Sequence, residues 1–265
     1  MHITITGNLG SGKSTVARLL GERYHFEIYS TGKVQRELAR EMNMTTLELN
    51  ELMRSNQKYD RMIDDAVTRI SRENKDKDII FDSRLAWNFV EQSFKVFVSV
   101  SLDTAATRVM NDNRGEEEKY VSLEEAKNLL AARAATERVR YKEIYNLNYM
   151  DFSNYNLVID STYCTQETIA EVILREAKEY EKNPTACTKQ LLSPKRLLFG
   201  KESEEEDKKR LNALIQEYMN MPIVNDIKVK VKKQEEDYLV IEGLDNVKAA
   251  YYAEVCFLPI EVIKD

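Results

Sequence analysis

The chain has 265 residues, 43% of them hydrophobic, enough for a substantial core as one large domain or two unequal ones. Its net charge of −6, from 39 Lys and Arg against 45 Asp and Glu, argues against nonspecific nucleic-acid binding through a basic face. Three scattered cysteines and two histidines argue against a disulfide framework or a structural zinc site, and no apolar run reaches membrane-spanning length.

The first expected strand, Ile3-Thr4-Ile5-Thr6, leads into Gly7-Asn8-Leu9-Gly10-Ser11-Gly12-Lys13-Ser14 and then a helix from Thr15 through Leu20. Strand, glycine-rich turn and helix with the full G-x-x-x-x-G-K-[ST] spacing form a P-loop in its required context. Glycines keep the loop open so that backbone N–H groups converge on a polyphosphate; side chains there would block the approach. The helix N-terminus adds its dipole, Lys13 a charge for the β- and γ-phosphates of ATP, and Ser14 a hydroxyl for Mg²⁺. Gly7 through Thr15 are therefore the candidate ATP-binding residues. Because the strand begins at the second residue, no export leader is expected, and a reducing cytoplasm is the expected setting.

A second strand over Phe26–Ser30 ends at Thr31-Gly32, and helical periodicity then continues to about Lys77 through Val34, Leu38, Met42, Leu49, Leu52, Met53, Ile63, Val67 and Ile70. Asp78–Asp82 reads as a third, buried strand. Asp82 at its end stands where an acid orients Mg²⁺, or as the N-cap of a following helix, and the two roles can coexist. Phe94–Val100 and Tyr155–Asp160 are the fourth and fifth strands. Strands alternating with helices predict an α/β fold with a five-stranded parallel sheet, and ligands bind at the carboxyl ends of such strands. The P-loop, Ser30, Asp82 and Asp160 all fall there, so one sheet edge should carry the active site.

Between strands four and five, Arg108 and the charged run Asn113–Glu118 with Arg114 precede a helix from Ser122 through Tyr145, whose Ser122 and Glu125 have capping-box spacing. Arg133, Glu137 and Arg140 lie close to one line on that helix. On spacing alone this is a solvated face with an i, i+4 ion pair. Arg108 and Arg114 can touch ATP or simply solvate the segment. Trp87 reads as packing between the third strand and its helix rather than as a base-stacking platform.

Taken together, residues 1 to about 180 resemble the nucleoside monophosphate kinases, and the archaeal-type cytidylate kinases in particular. The likeness rests on Ile3–Leu20, Ser30-Thr31-Gly32 with Arg36 after it, Asp82-Ser83-Arg84-Leu85-Ala86-Trp87, the helix from Arg133 into Tyr141–Tyr145, and Asp151–Asp160. The resemblance implies a P-loop kinase domain over 1–182, with an acceptor-binding insertion at about 31–77 and a lid at about 108–149. It implies that Arg36 and the Ser30-Thr31-Gly32 turn hold the acceptor phosphate, and that Arg84 sits at the base and phosphate end of that site. Arg133 and Arg140 would close onto the phosphates as catalytic cations beside Lys13, Glu137 would face the acceptor sugar or base, and Ser14 and Asp82 would serve Mg²⁺. Ser83 stands where the family often has glycine, and Ala134 where an acid commonly follows the first lid arginine.

After a helix over Ile169–Glu181 and a hinge at Asn183-Pro184-Thr185, residues 187–265 read as a small α+β domain. Its expected elements are a helix around Leu211–Tyr218, strands at Ile227–Val231 and Tyr238–Gly243, a helix over Leu244–Val255 and a last strand over Leu258–Ile263. This stretch distantly resembles ParB and sulfiredoxin-like domains, but its turn, Gly243-Leu244-Asp245-Asn246, lacks the cations with which those bind phosphate. It reads as an interaction or regulatory unit for a protein partner or self-association. The expected activity is phosphoryl transfer from ATP, with Mg²⁺, to CMP or dCMP. A kinase for another nucleotide or small metabolite, and a non-catalytic ATP sensor with a partner-binding tail, are the alternatives.

Overall fold

A computed structural model describes residues 1–44, 48–49, 52–53, 58–111, 120–185, 187–198, 208–225, 227–234 and 237–263, with the side chains of 33, 35–38, 59, 60 and 198 left undescribed. The five expected strands are present as β1 (His2–Gly7), β2 (Glu27–Ser30), β3 (Ile79–Asp82), β4 (Phe94–Ser99) and β5 (Leu157–Asp160). They run parallel in the order β2-β3-β1-β4-β5. Every residue of β1, β3 and β5 is buried, because helices cover both faces of a parallel sheet. β3 and β5 accordingly read as continuous apolar runs, whereas β1 alternates Ile with Thr although Thr4 and Thr6 are fully buried.

Helix α1 (Lys13–Tyr24) buries Val16, Ala17, Leu19 and Leu20 against the sheet. Beyond it come α2 (Thr31–Glu41), α3 (Lys58–Glu73), the short α4 (Ala86–Phe89), α5 (Leu102–Asn111) and α6 (Leu123–Tyr145). In α6 the Ser122 side chain accepts from the Glu125 N–H at 3.1 Å, and Glu125 accepts from the Val121 N–H at 2.6 Å, so the expected cap is formed. Helix α7 (Gln166–Lys182) packs beside α1 and is capped by Thr165. Trp87 is buried in a cluster with Phe97, Tyr149, Tyr155 and Val158, so it packs as expected, but among residues of β4, β5 and the stretch before β5 rather than those of the third strand.

Among the described residues the central sheet has seven strands rather than five. β6 (Lys189–Leu192) adds parallel to β5, and β10 (Leu258–Pro259) pairs antiparallel with β6 at the edge. Both come from the segment expected to stand apart as residues 187–265. Ile223 and Phe257 of that segment are buried in the main core beside Ile159 and Ile173. β6 falls in a stretch where no strand is expected, since Lys189-Gln190-Leu191-Leu192 carries no alternation; burial of Leu191 and Leu192 against non-local partners selects it.

The remainder of the C-terminal segment forms a second sheet. Its strands are β7 (Leu197–Leu198), β8 (Lys230–Gln234), β9 (Asp237–Glu242) and β11 (Glu261–Val262), in the order β11-β8-β9-β7, with α8 (Lys208–Tyr218) and α9 (Leu244–Tyr252) completing the unit. The single last strand expected over Leu258–Ile263 is divided between the sheets. The Ile260 N–H donates to Gln190 of β6, whereas the Glu261 and Ile263 N–H groups donate to Val229 and Val231.

Candidate active site

The parallel register brings the strand ends together: Ser30 and Ile5 both lie level with Asp82, and Ser99 lies level with Asp160. The turn from Gly7 to Ser14 rises from this edge. Gly10 and Gly12 have φ of 74° and 80°, in the left-handed region that other residues rarely adopt. A Cβ on Gly10 would stand 2.8–2.9 Å from the Ala105 backbone and side chain, so α5 closes one side of the loop too tightly for any other residue. Helix α1 is capped by Gly12, which has no side chain to occupy its leading N–H groups. Those groups are thus available to an anion.

On the β3 side, the Ser14 hydroxyl donates to Asp82 Oδ2 at 2.8 Å. A hydroxyl and a mostly buried carboxylate this close are hard oxygen donors of the kind that Mg²⁺ takes alongside phosphate oxygens. The Thr6 hydroxyl donates to the carbonyls of Ser83 and Arg84 at 3.1 and 3.2 Å, pinning the turn after β3 to β1. Arg84 then reaches back across the site. Its Nη1 donates to the Gly7 carbonyl at 2.5 Å and its Nε to Glu137 Oε2 at 2.8 Å.

Glu137 joins three segments. Its second oxygen accepts from Arg133 Nε at 3.3 Å, one turn earlier on α6, and Lys13 is near enough for its charge to act on it. Burial pushes the Glu137 carboxyl up, but Arg84, Arg133 and Lys13 outweigh that and hold it below the ordinary carboxylate range. Burial likewise works against the Arg84 charge, and Glu137 more than restores it. The P-loop, the turn after β3 and α6 therefore meet at one carboxylate ringed by three cations.

Ser30, Thr31 and Gly32 lie where β2 passes directly into α2, and the Thr31 hydroxyl approaches the Asp82 carbonyl at 3.5 Å. Arg36 is on α2, its side chain outside the described residues, and Arg114 lies outside them altogether. The Arg140 guanidinium lies 5.8 Å from the centre of the Tyr141 ring. Arg108 is on the opposite flank of the P-loop. Its Nη1 and Nη2 donate to the Ser161 hydroxyl at 3.0 Å and carbonyl at 2.5 Å, just past the end of β5. This flank also holds Thr162 and Arg196, which no local motif signalled; Arg196 sits in a Ser-Pro-Lys-Arg run without periodicity.

The model of the cytidylate kinase-like family matches residues 2–163. A cytidylate kinase of Methanococcoides burtonii is 34% identical over 173 residues, covering 65% of this chain and 94% of its own. One from Natronomonas pharaonis is 35% identical over 182 residues, covering 68% and 91%. Another, from Methanoregula boonei, is 28% identical over 189 residues, covering 71% and 100%.

Proposed function

Because the chain belongs to the cytidylate kinase-like family, we propose that it transfers the γ-phosphoryl group of ATP to CMP or dCMP, giving ADP and the nucleoside diphosphate. The supporting observation is the meeting of Lys13, the Ser14–Asp82 pair and the Arg84–Glu137–Arg133 group at the mouth of a parallel sheet. An oxygen of the acceptor phosphate forms the new bond to the γ-phosphorus while the bond to the β,γ-bridging oxygen breaks and its electron pair leaves with ADP. The acceptor oxygen is already nucleophilic, so no side chain has to remove a proton from it.

In this reading the P-loop N–H groups and Lys13 hold the donor phosphates, and Ser14 and Asp82 hold Mg²⁺. The ion neutralises charge on the β- and γ-phosphates when bound. Arg84 and Arg133, held by Glu137 in this structure, turn to the equatorial oxygens as α6 closes. Planar guanidinium groups suit that task because each can grip two oxygens. Ser30, Thr31, Gly32 and Arg36 flank the acceptor side next to Asp82, with Arg140 and Arg114 as further lid cations and Arg108 on the donor side. The second sheet is no second phosphate site in this reading, since its Gly243-Leu244-Asp245-Asn246 turn carries no cation. Among the described residues no helix is long and apolar enough to cross a membrane.

Incubation with ATP, Mg²⁺ and each nucleoside monophosphate in turn, with ADP as the readout, tests the reading. Turnover confined to CMP and dCMP is expected. Preference for another acceptor would reassign the substrate, and ATP binding with no ADP formed would leave a sensor in place of an enzyme.

A further inference from the structure

The flank of the P-loop opposite Arg84 and Glu137 is built partly by residues outside the span that the family model matches. Strand β6, adding parallel to β5, delivers its carboxyl end to the same sheet edge, and the chain turns there through Ser193–Arg196 into β7. Arg196, 6% exposed, points into the segment that follows β5. Its Nη1 donates to Asp160 Oδ2 and to the Thr162 hydroxyl, each at 3.0 Å, and its Nε donates to Asp237 Oδ1 at 2.8 Å.

The atoms it holds are joined directly to the nucleotide-binding edge. Asp160 Oδ1 accepts from the Thr162 N–H at 3.1 Å, which folds the backbone around Ser161. The Thr162 hydroxyl accepts from the Ser101 N–H at 3.0 Å, tying the start of α5 to the same point. Ser161, between them, receives both donated hydrogen bonds from Arg108. Gln166, at the start of α7, stands 3.2 Å from the position a Cβ would take on Gly12. A second tie comes from Cys164, whose thiol donates to the Cys256 carbonyl at 3.5 Å just before β10. The loop from Asp160 to Gln166 thus lies between the P-loop and the C-terminal segment, and touches both.

The P-loop has two flanks, one towards β3 and β2 and one towards β4 and β5. The side of β3 and β2 carries Asp82, Thr31, Arg84 and Glu137, where the acceptor belongs in the reading above. The remaining side, lined by α5 and the 160–166 loop, is left for the nucleoside of the donor. We propose that Arg196 is a positioning residue of the ATP site, acting from the C-terminal segment through Asp160 and Thr162 to fix the loop on which the donor nucleoside lies. The C-terminal segment then completes the donor site rather than standing beside it. This inference rests on the reading of the P-loop as the ATP site and does not depend on which acceptor is used.

The test uses the full chain with three variants: Arg196→Met, Arg196→Lys and the pair Arg196→Met/Asp160→Asn, in which no buried carboxylate is stranded. Dissociation constants for ATP and for CMP are measured separately by calorimetry, and folding is checked by thermal melting. Arg196→Met and the double variant are expected to weaken ATP binding about tenfold while leaving CMP binding within about twofold, a size typical of residues that act through a network. Arg196→Lys, which keeps the charge but cannot span Asp160 and Asp237 together, should fall between. A folded double variant that binds ATP as the parent does would overturn the proposal, as would equal loss for both nucleotides. A parent chain that binds ATP but neither binds nor phosphorylates CMP would remove the cytidylate reading, and the ATP comparison would still decide the role of Arg196.

Discussion

Replacing Arg84 by Met isolates the contact that joins α6 to the sheet edge. The side chains of Arg84 and Glu137 are 14% and 17% exposed and 2.8 Å apart, so the variant strands a largely buried carboxylate. Removing one partner of a buried pair typically costs about 3–5 kcal/mol. Here Glu137 keeps Arg133 at 3.3 Å, itself half exposed, so the lower end of that range, about 3 kcal/mol, is expected. For a chain of this size that is a fall in Tm of roughly 6–12 °C. Circular dichroism melting at pH 7 measures it. The pair Arg84→Met/Glu137→Leu, with no stranded charge, should recover most of the loss without recovering phosphoryl transfer, because the cation is still missing. A single variant that melts with the parent, or a double variant less stable than the single one, would show that this ion pair does not hold α6 in place.

Gly10→Ala forces a side chain into the left-handed region and against Ala105, and should weaken ATP binding about tenfold with little effect on the acceptor; unchanged ATP affinity by calorimetry would refute the tight-loop account. Asp82→Asn should raise the Mg²⁺ concentration for half-maximal turnover about tenfold or more, read from a Mg²⁺ titration of ADP release, and an unshifted curve would take Asp82 out of the metal site. Because the folded-state pKa of Glu137 is depressed, its stabilisation is complete above the ordinary value of 4.5 and is lost as pH falls through the lower folded value. Acid unfolding below about pH 4.5 should therefore be less steep in Glu137→Gln, and identical slopes in the two proteins would contradict the shift.

The parts of this site that the sequence announces are those whose physics is local. The P-loop spacing, the Ser122 cap and the Arg133–Glu137 pair one helical turn apart each depend on residues within a few positions of one another, and each is found as expected. The position of Asp82 was legible because an apolar run ending on a carboxylate marks the carboxyl end of a buried parallel strand. Glu137 illustrates the limit. Its nearer partner, Arg84, is 53 residues away, and helical periodicity shows only the local pair with Arg133, not this second, non-local one. Arg108 with Ser161, and Arg196 with Asp160, are likewise pairings that only the folded sheet creates. The division expected at 182–187 rests on the end of a helix and the Asn183-Pro184-Thr185 hinge. The hydrogen-bond ladder ignores that boundary, because β6 gains a partner in β5.

The splitting of the final strand has a practical bearing on how this protein is handled. With Ile260 bonded to one sheet and Glu261 to the other, and Phe257 fully enclosed in the main core, residues 257–263 act as a rivet between the two halves. Trimming the gene back to the stretch shared with the archaeal relatives would bare the flank of β5 and leave Asp160 without its guanidinium. Such a fragment should be a poor starting material for crystals or assays, and a nick in the intact chain should leave the two pieces clasped together.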